Sequence, residues 1–179
     1  MSKPDDTELI DQCMGGDRHA FEVLLVRYEK PVFNAAYRML SNAEDARDVT
    51  QTVFLKAFEN LGKYDPKYKF FSWIYRIALN ESINCLSKQN RLDVLQQEPA
   101  SQTGGPEEQT GNEQLSEGIQ AALMTLKPDY RTVIILKHLM DCSYLEISQI
   151  LDIPEKKVKS RLYSGRQLLK DALTSGGLH

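Results

Sequence analysis

The sequence contains no apolar run approaching the roughly 20 residues that a bilayer span needs. Its first ten residues include Asp5, Asp6 and Glu8 and lack the basic start and apolar stretch of a signal peptide. A soluble cytoplasmic protein without membrane insertion is therefore expected. Cysteine is sparse. Cys13, Cys85 and Cys142 are odd in number and widely spaced, with no C-x-x-C pair and no adjacent histidine, so neither a disulfide framework nor a tetrahedral metal set has local support. His19, His138 and His179 are equally scattered and give no local basis for a nucleophile–histidine arrangement. The glycine patterns of phosphate-cradling loops are missing as well. These absences predict a chain with no metal, no cofactor and no catalytic residues.

An overall basic excess is also missing, since the net charge is −3, which by itself argues against a nucleic-acid partner. That total conceals segments of opposite sign. Residues 61–91 carry +4 and 156–179 carry +5, and between them 92–118 carries −6 with no Lys or Arg at all. The acidic stretch Leu92 to Gly118 has no aromatic residue and concentrates Gln, Glu, Gly, Pro, Ser and Thr, a composition that cannot bury enough apolar surface to order itself. Its middle predicts a flexible linker between two domains, with a helix starting from about Glu113. When extended, its 27 residues reach about 90 Å.

On both sides of the linker, apolar residues recur at three and four, the helical spacing. Asp17 is placed to cap a long helix striped by Phe21, Leu24, Leu25, Tyr28, Val32, Ala35, Ala36 and Met39, with a kink or break near Lys30 expected from Pro31. Ser41-Asn-Ala-Glu44 matches a capping box and opens a second helix, with Val49, Val53, Phe54, Ala57, Phe58 and Leu61 on one face, which Gly62 ends. A third helix is predicted over 72–91. Beyond the linker, helices are predicted over 114–126, 128–139, 143–151 and 154–173, with Ser143-Tyr-Leu-Glu146 as a second capping box.

Two constellations carry chemistry. Cys142 to Lys170 has the build of a helix-turn-helix, in which Val158, Leu162 and Leu169 hold the core side of the second helix. Lys156, Lys157, Lys159, Ser160, Tyr163, Ser164 and Arg166 are left for another surface. Such a helix fits the major groove of duplex DNA, with its cations neutralising phosphates. A basic helix can also be merely a solvated face; it is the turn and the cap beside it that favour DNA. The other constellation is YDPKYKFFSWIY, Tyr64 to Tyr75, which holds six of the chain's 15 aromatic residues together with Lys67 and Lys69 and is followed by Arg76. Unstacked bases offer π-faces to such rings, whereas duplex DNA hides them, so this composition suits melted or flipped-out bases. The competing reading, an aromatic helix entry packed into a core, is the stronger one for Phe71, Trp73 and Ile74.

In order and spacing, residues 21–91 and 113–170 resemble the two conserved domains of the extracytoplasmic-function, or group 4, RNA polymerase sigma factors of the sigma-70 family. FEVLLVRYEKPVFNAAYRML is similar to the family's first core-domain helices, EDARDVTQTVFLKAF to its polymerase-binding helix, and FFSWIYRIALNESINCLSKQNR to its −10 element helix. YLEISQILDIPEKKVKSRLYSGRQLLK is similar to its −35 element helix-turn-helix. The resemblance implies an all-α fold of two small helical domains. These are a region 2 bundle over 1–91 and a region 4 helix-turn-helix domain over 113–179, joined by a flexible acidic linker over 92–112.

It implies a promoter-specificity subunit without enzymatic activity that binds core RNA polymerase and promoter DNA and is held in check by an anti-sigma factor. By resemblance, Asp45, Asp48, Gln51, Phe54 and Leu55 face the polymerase, and Thr52 stands where the family often has an acid. Tyr64, Lys67, Tyr68, Lys69 and Phe70 belong to the loop that pockets a flipped −10 base, and Arg76, Asn80 and Asn84 contact the melted strand. Lys156, Lys157, Lys159, Ser160, Arg161, Tyr163 and Arg166 read the −35 duplex, with Ser164 and Gly165 departing from the common Arg and Ala. A helix-turn-helix regulator that binds DNA without polymerase is the rival reading.

Overall fold

The computed structural model describes residues 4–96 and 111–176, which fold as eight α-helices without a β-strand among them. The middle of the predicted linker, 97–110, lies outside the described residues.

The chain opens with α1 (Asp6–Met14), for which the sequence reading had no helix. Asp5 accepts from the Glu8 N–H at 2.8 Å, and Glu8 reaches back to the Asp5 N–H, forming a capping box. Asp6 holds α1 against α2 by accepting from both Arg27 and Tyr28. Next comes α2 (Arg18–Leu40), capped by Asp17 as expected and unbroken across Pro31. Val32, Ala35, Ala36 and Met39, all beyond the proline, are buried, so packing on both sides of it sustains the helix despite one missing backbone donor.

The cap of α3 (Ala43–Glu59) is Asn42, not Ser41. Its side chain accepts from the N–H groups of Glu44 and Asp45 at 2.9 and 3.1 Å. Ser41 is consumed in ending α2, where it sits in the left-handed region at φ 55°. After a short 3₁₀ turn at Leu61–Lys63, α4 runs from Phe70 to Gln96 and thus extends past the boundary expected at 91.

The second half comprises α5 (Gly111–Thr125), α6 (Pro128–Ile134), α7 (Tyr144–Leu151) and α8 (Glu155–Ser175). α6 widens into a π-helical turn at Ile135–Leu139, closed by Met140 N–H donating to the Ile135 carbonyl at 3.0 Å. The expected capping box at Ser143 and Glu146 forms, with Ser143 Oγ accepting from Glu146 N–H at 3.1 Å. Asp152 ends α7 at φ 53°, and Ser148 Oγ donates to the Ile153 carbonyl at 2.6 Å, which locks the turn into α8.

Buried residues form one continuous set across both halves, from Leu24, Val53 and Ile74 in the first to Leu136, Ile147 and Leu162 in the second. At the seam, Arg131 is only 4% exposed. It donates to the Leu123, Met124 and Leu126 carbonyls at the end of α5 and to the Met39 carbonyl at the end of α2. A cation set at two helix C-termini meets the negative ends of their dipoles, which compensates its burial. Arg38 and Gln120 add a second polar link between the halves at 3.1 Å.

Candidate nucleic-acid interface

α8 divides cleanly into two faces. Val158, Leu162 and Gly165 are buried against the domain, while Lys156, Lys157, Lys159, Ser160, Tyr163 and Arg166 are exposed. The exposed tyrosine, at 69%, carries an apolar ring with no core to fill. Gly165 is where α8 crosses α6 closely, since a Cβ there would stand 3.2 Å from Ile134 Cγ1. Glycine here therefore trades helix propensity for close approach.

Two cations of this helix are already engaged. Arg161 is half-buried and pairs with Asp129 at 2.7 Å, so it braces α8 on α6. Arg166 Nε donates to His138 Nε2 at 3.1 Å, which needs a bare Nε2. Burial, together with the nearby Arg166 and Lys137 charges, holds His138 below the usual histidine range, consistent with a neutral acceptor. Lys159 Nζ lies 5.6 Å from the centre of the Tyr144 ring, so α7 supports it from behind.

The aromatic loop is built on a ring stack. Tyr64 packs against Phe70 and Trp73 at 5.7 and 5.6 Å, and Phe70 against Tyr28 at 5.3 Å. Tyr64 Oη donates to the Tyr68 carbonyl and Asp65 accepts from Lys67 N–H at 3.0 Å, so the loop is pinned while Lys67, Tyr68 and Lys69 stay exposed. Phe70, expected to help pocket a base, is 2% exposed and forms the loop's anchor, because a ring this deep has no free face for stacking. Phe71 and Trp73 are half-buried and Ile74 fully buried, in keeping with their core reading. Asn80 and Asn84 are exposed together on α4. Arg76, one turn before Asn80, donates through Nη2 to the Gln149 carbonyl at 2.6 Å and through Nε to the Ile150 carbonyl at 3.0 Å.

On α3, Asp48 and Gln51 are exposed and Leu55 is 65% exposed. Phe54 is buried at 7% and belongs to the core rather than to an outward face. Asp45 is half-buried and accepts from Gln89 Nε2 at 2.6 Å, which ties α3 to α4. The residue missed by sequence reasoning is Phe58, assigned there to the buried stripe. It is 54% exposed and meets Phe21 edge-on at 5.0 Å. The signal was present, because Gln51, Leu55 and Phe58 recur at i, i+4 and i+7, a second stripe.

All three thiols are pushed up by burial, which is the leading cause for each, and Cys142 reaches about 12. Among the described residues, no cluster of His, Cys, Asp and Glu has the geometry to hold a metal ion. No helix among them is long and apolar enough to cross a membrane.

Comparison with known proteins gives consistent matches. The sigma-70 region 2 family model matches residues 24–92, and the sigma-70 region 4 model matches residues 116–169. The ECF RNA polymerase sigma factor SigW of Bacillus subtilis is 35% identical over 176 residues, covering 92% of this chain and 94% of that protein. The ECF RNA polymerase sigma-E factor of Escherichia coli K12 is 31% identical over 176 residues, covering 92% of each. Among solved structures, CnrH in complex with the cytosolic domain of CnrY superposes with a TM-score of 0.75 at 24% identity, covering 95% of this chain and 97% of that one. The sigma factor RpoE in complex with the anti-sigma factor NepR, from Bartonella quintana, superposes at 0.68 with 22% identity, covering 86% and 96%.

Proposed function

Because the chain belongs to the extracytoplasmic-function sigma factors of the sigma-70 family, a promoter-specificity subunit of RNA polymerase and not an enzyme, we propose a division of its work among three surfaces. The exposed face of α8 reads the −35 duplex through Lys156, Lys157, Lys159, Ser160 and Tyr163. Arg166 is available once His138 releases it, and Arg161 positions the helix. The loop residues Tyr64, Lys67, Tyr68 and Lys69, with Arg76, Asn80 and Asn84 of α4, hold the melted −10 strand, and Phe70 supports that loop from beneath. Asp48, Gln51, Leu55 and Phe58 of α3 dock on core polymerase, with Asp45 fixing the helix and Phe54 holding it to the core.

Residues 1–91 and 113–179 act as the two readers and 92–112 as their tether. The protein works in the cytoplasm. An anti-sigma factor holds it inactive by covering these surfaces, a reading supported by the superposed sigma factor RpoE, which was solved in complex with the anti-sigma factor NepR.

The observation that carries the DNA assignment is the two-faced α8, where buried Val158 and Leu162 turn Lys156, Lys157 and Lys159 outward together with Ser160 and Tyr163. Melting is then driven by trapping extruded bases. Unstacking costs a few kcal/mol, and aromatic stacking at about 1–3 kcal/mol per base offsets it. A gel shift on promoter DNA with and without core polymerase tests the role. A sigma factor gives a strong complex only with the polymerase, whereas a free-standing regulator binds alone.

A further inference from the structure

The π-helical turn at Ile135–Leu139 aims two neighbouring side chains at different helices. Lys137 faces α7, where its Nζ lies 5.1 Å from the centre of the Tyr144 ring and donates to the Cys142 carbonyl at 3.2 Å. His138 faces α8 and accepts the Arg166 Nε–H on its Nε2 at 3.1 Å. Both members of that second pair are exposed, so solvent protons and a duplex can reach them. Together with Ile134, Leu169, Leu173 and Lys170 they line a cleft of about 510 Å³.

We propose that His138 is a positioning residue of the −35 reader that gates Arg166 by a proton: the neutral ring holds the guanidinium against the domain, and the protonated ring releases it to a backbone phosphate. This rests on the reading of α8 as the duplex-binding surface, with Arg166 part of it.

The chemistry of the pair sets the direction of the gate. Arginine only donates, so the nitrogen that meets it must carry a lone pair, which places the ring's single proton on Nδ1. A solvent proton forms its new N–H bond at that Nε2 lone pair, and the acceptor is gone. What was a hydrogen bond becomes a meeting of two cations, from which the long Arg166 side chain swings out.

The charges that act on the ring are positive, coming from Arg166 of α8 and Lys137 of the turn, and with burial they keep it below the ordinary histidine range. Lys170 adds a third cation in the cleft. Carboxylates of the neighbouring elements are engaged elsewhere. Glu146 of α7 meets Lys69 and the Ser143 N–H, and the Asp141 charge acts on Cys142. Asp171 of α8 does not line the cleft. A DNA phosphate would supply the missing anion and accept from Arg166 and the imidazolium together. Duplex binding and proton uptake therefore favour each other, by reciprocal linkage.

Fluorescence anisotropy of the full chain with a dye-labelled duplex of mixed sequence, about two helical turns long, tests this at one fixed ionic strength. For uptake of a single proton, the parent should bind about 2–5-fold more tightly at pH 6.0 than at pH 7.5. His138→Gln keeps an acceptor for Arg166 but cannot take the proton, so its affinity should not change between the two pH values. His19 and His179 are present in both chains, and the difference isolates His138. A parent that is flat over this range, or a glutamine variant that keeps the acid gain, overturns the proposal. So does an Arg166→Gln chain that keeps the whole gain, because the gain would then belong to the imidazolium alone.

Proton NMR of the His138 ring, identified by its loss in His138→Gln, separates the gate from the reader. Its titration midpoint should rise in Arg166→Gln, where the neighbouring cation is removed, and should rise in the parent when the duplex is added. No rise in either case overturns the gate itself. A rise in Arg166→Gln, together with duplex affinity equal to that of the parent at both pH values, instead overturns the assignment of Arg166 to the −35 surface.

Discussion

Arg131 Nη1 donates to the Met39 carbonyl at 2.6 Å, joining the end of α2 to the start of α6 across the seam between the halves. The same guanidinium satisfies three carbonyls at the end of α5, so one side chain organises the second domain and docks it on the first. Arg131→Ala removes all four bonds and leaves buried acceptors unpaired, at a cost of about 2–4 kcal/mol. The expected fall in Tm is about 4–16 °C by calorimetry. An unchanged Tm would mean that the contacts at this seam are energetically idle.

The outward face of α8 should separate into residues that specify sequence and residues that add affinity. Lys156→Ala or Lys157→Ala is expected to weaken promoter binding by the polymerase complex evenly across −35 sequences and to lower the salt slope by about one unit each. Ser160→Ala and Tyr163→Ala should instead change which −35 sequence is preferred, by about 1–3 kcal/mol at the base contacted. A selection over randomised −35 elements, repeated at two salt concentrations, distinguishes the two classes.

Leu55 and Phe58 are large apolar side chains left in water beside the acidic and amide groups of α3. Exposed apolar residues of this kind serve as interface anchors, and truncating such an anchor costs on the order of 2 kcal/mol of binding. Leu55→Asp and Phe58→Ala should each weaken association with core polymerase by about tenfold or more. Stability should stay within about 0.5 kcal/mol for Leu55→Asp, while Phe58→Ala should cost about the 0.5–1.5 kcal/mol of its edge-on contact with Phe21. Fluorescence titration with core polymerase, alongside urea unfolding, checks both halves of this prediction.

Cys142 supplies a pH dependence with a definite sign. Burial, followed by the nearby Glu146 and Asp141 charges, raises its thiol from 9.0 to about 12, so the folded chain keeps a proton that the unfolded chain releases. Its stabilising contribution is complete below about pH 9 and declines as pH climbs toward 12, by at most about 1.4 kcal/mol per pH unit. Cys142→Ala loses packing at pH 7 but escapes that decline. The stability gap between parent and variant, from urea unfolding at pH 7, 9 and 10, should therefore narrow as pH rises. A constant gap would show that the thiol does not titrate with unfolding.

The elements legible in the sequence are those specified locally. Asp17, Ser143 with Glu146, and the stripe Val158, Leu162, Leu169 each act within one or two helical turns, and the helices they mark formed where expected. Errors arose where a local signal had two uses. Ser41 and Asn42 both suit a cap, and the need to end α2 decided between them. Phe54, Leu55 and Phe58 are alike in composition, and only the angle at which α3 meets its neighbours separates the buried ring from the exposed pair. The interdomain contacts were not legible at all. Lys69 with Glu146 and Arg131 with Met39 lie 77 and 92 residues apart, a separation at which no periodicity carries information. For the same reason the sequence offers Lys69 and Arg76 to a melted strand without showing that the fold pairs them with Glu146 and with the Gln149 and Ile150 carbonyls.

Runoff transcription with core polymerase on a fragmented genomic library tests the central claim most directly. Adding the chain should produce new transcripts that start at a fixed distance downstream of a shared pair of elements, and Lys159→Ala combined with Tyr163→Ala should erase or alter the upstream one. Transcript starts that are the same with and without the chain, or promoter binding that needs no polymerase, would contradict it.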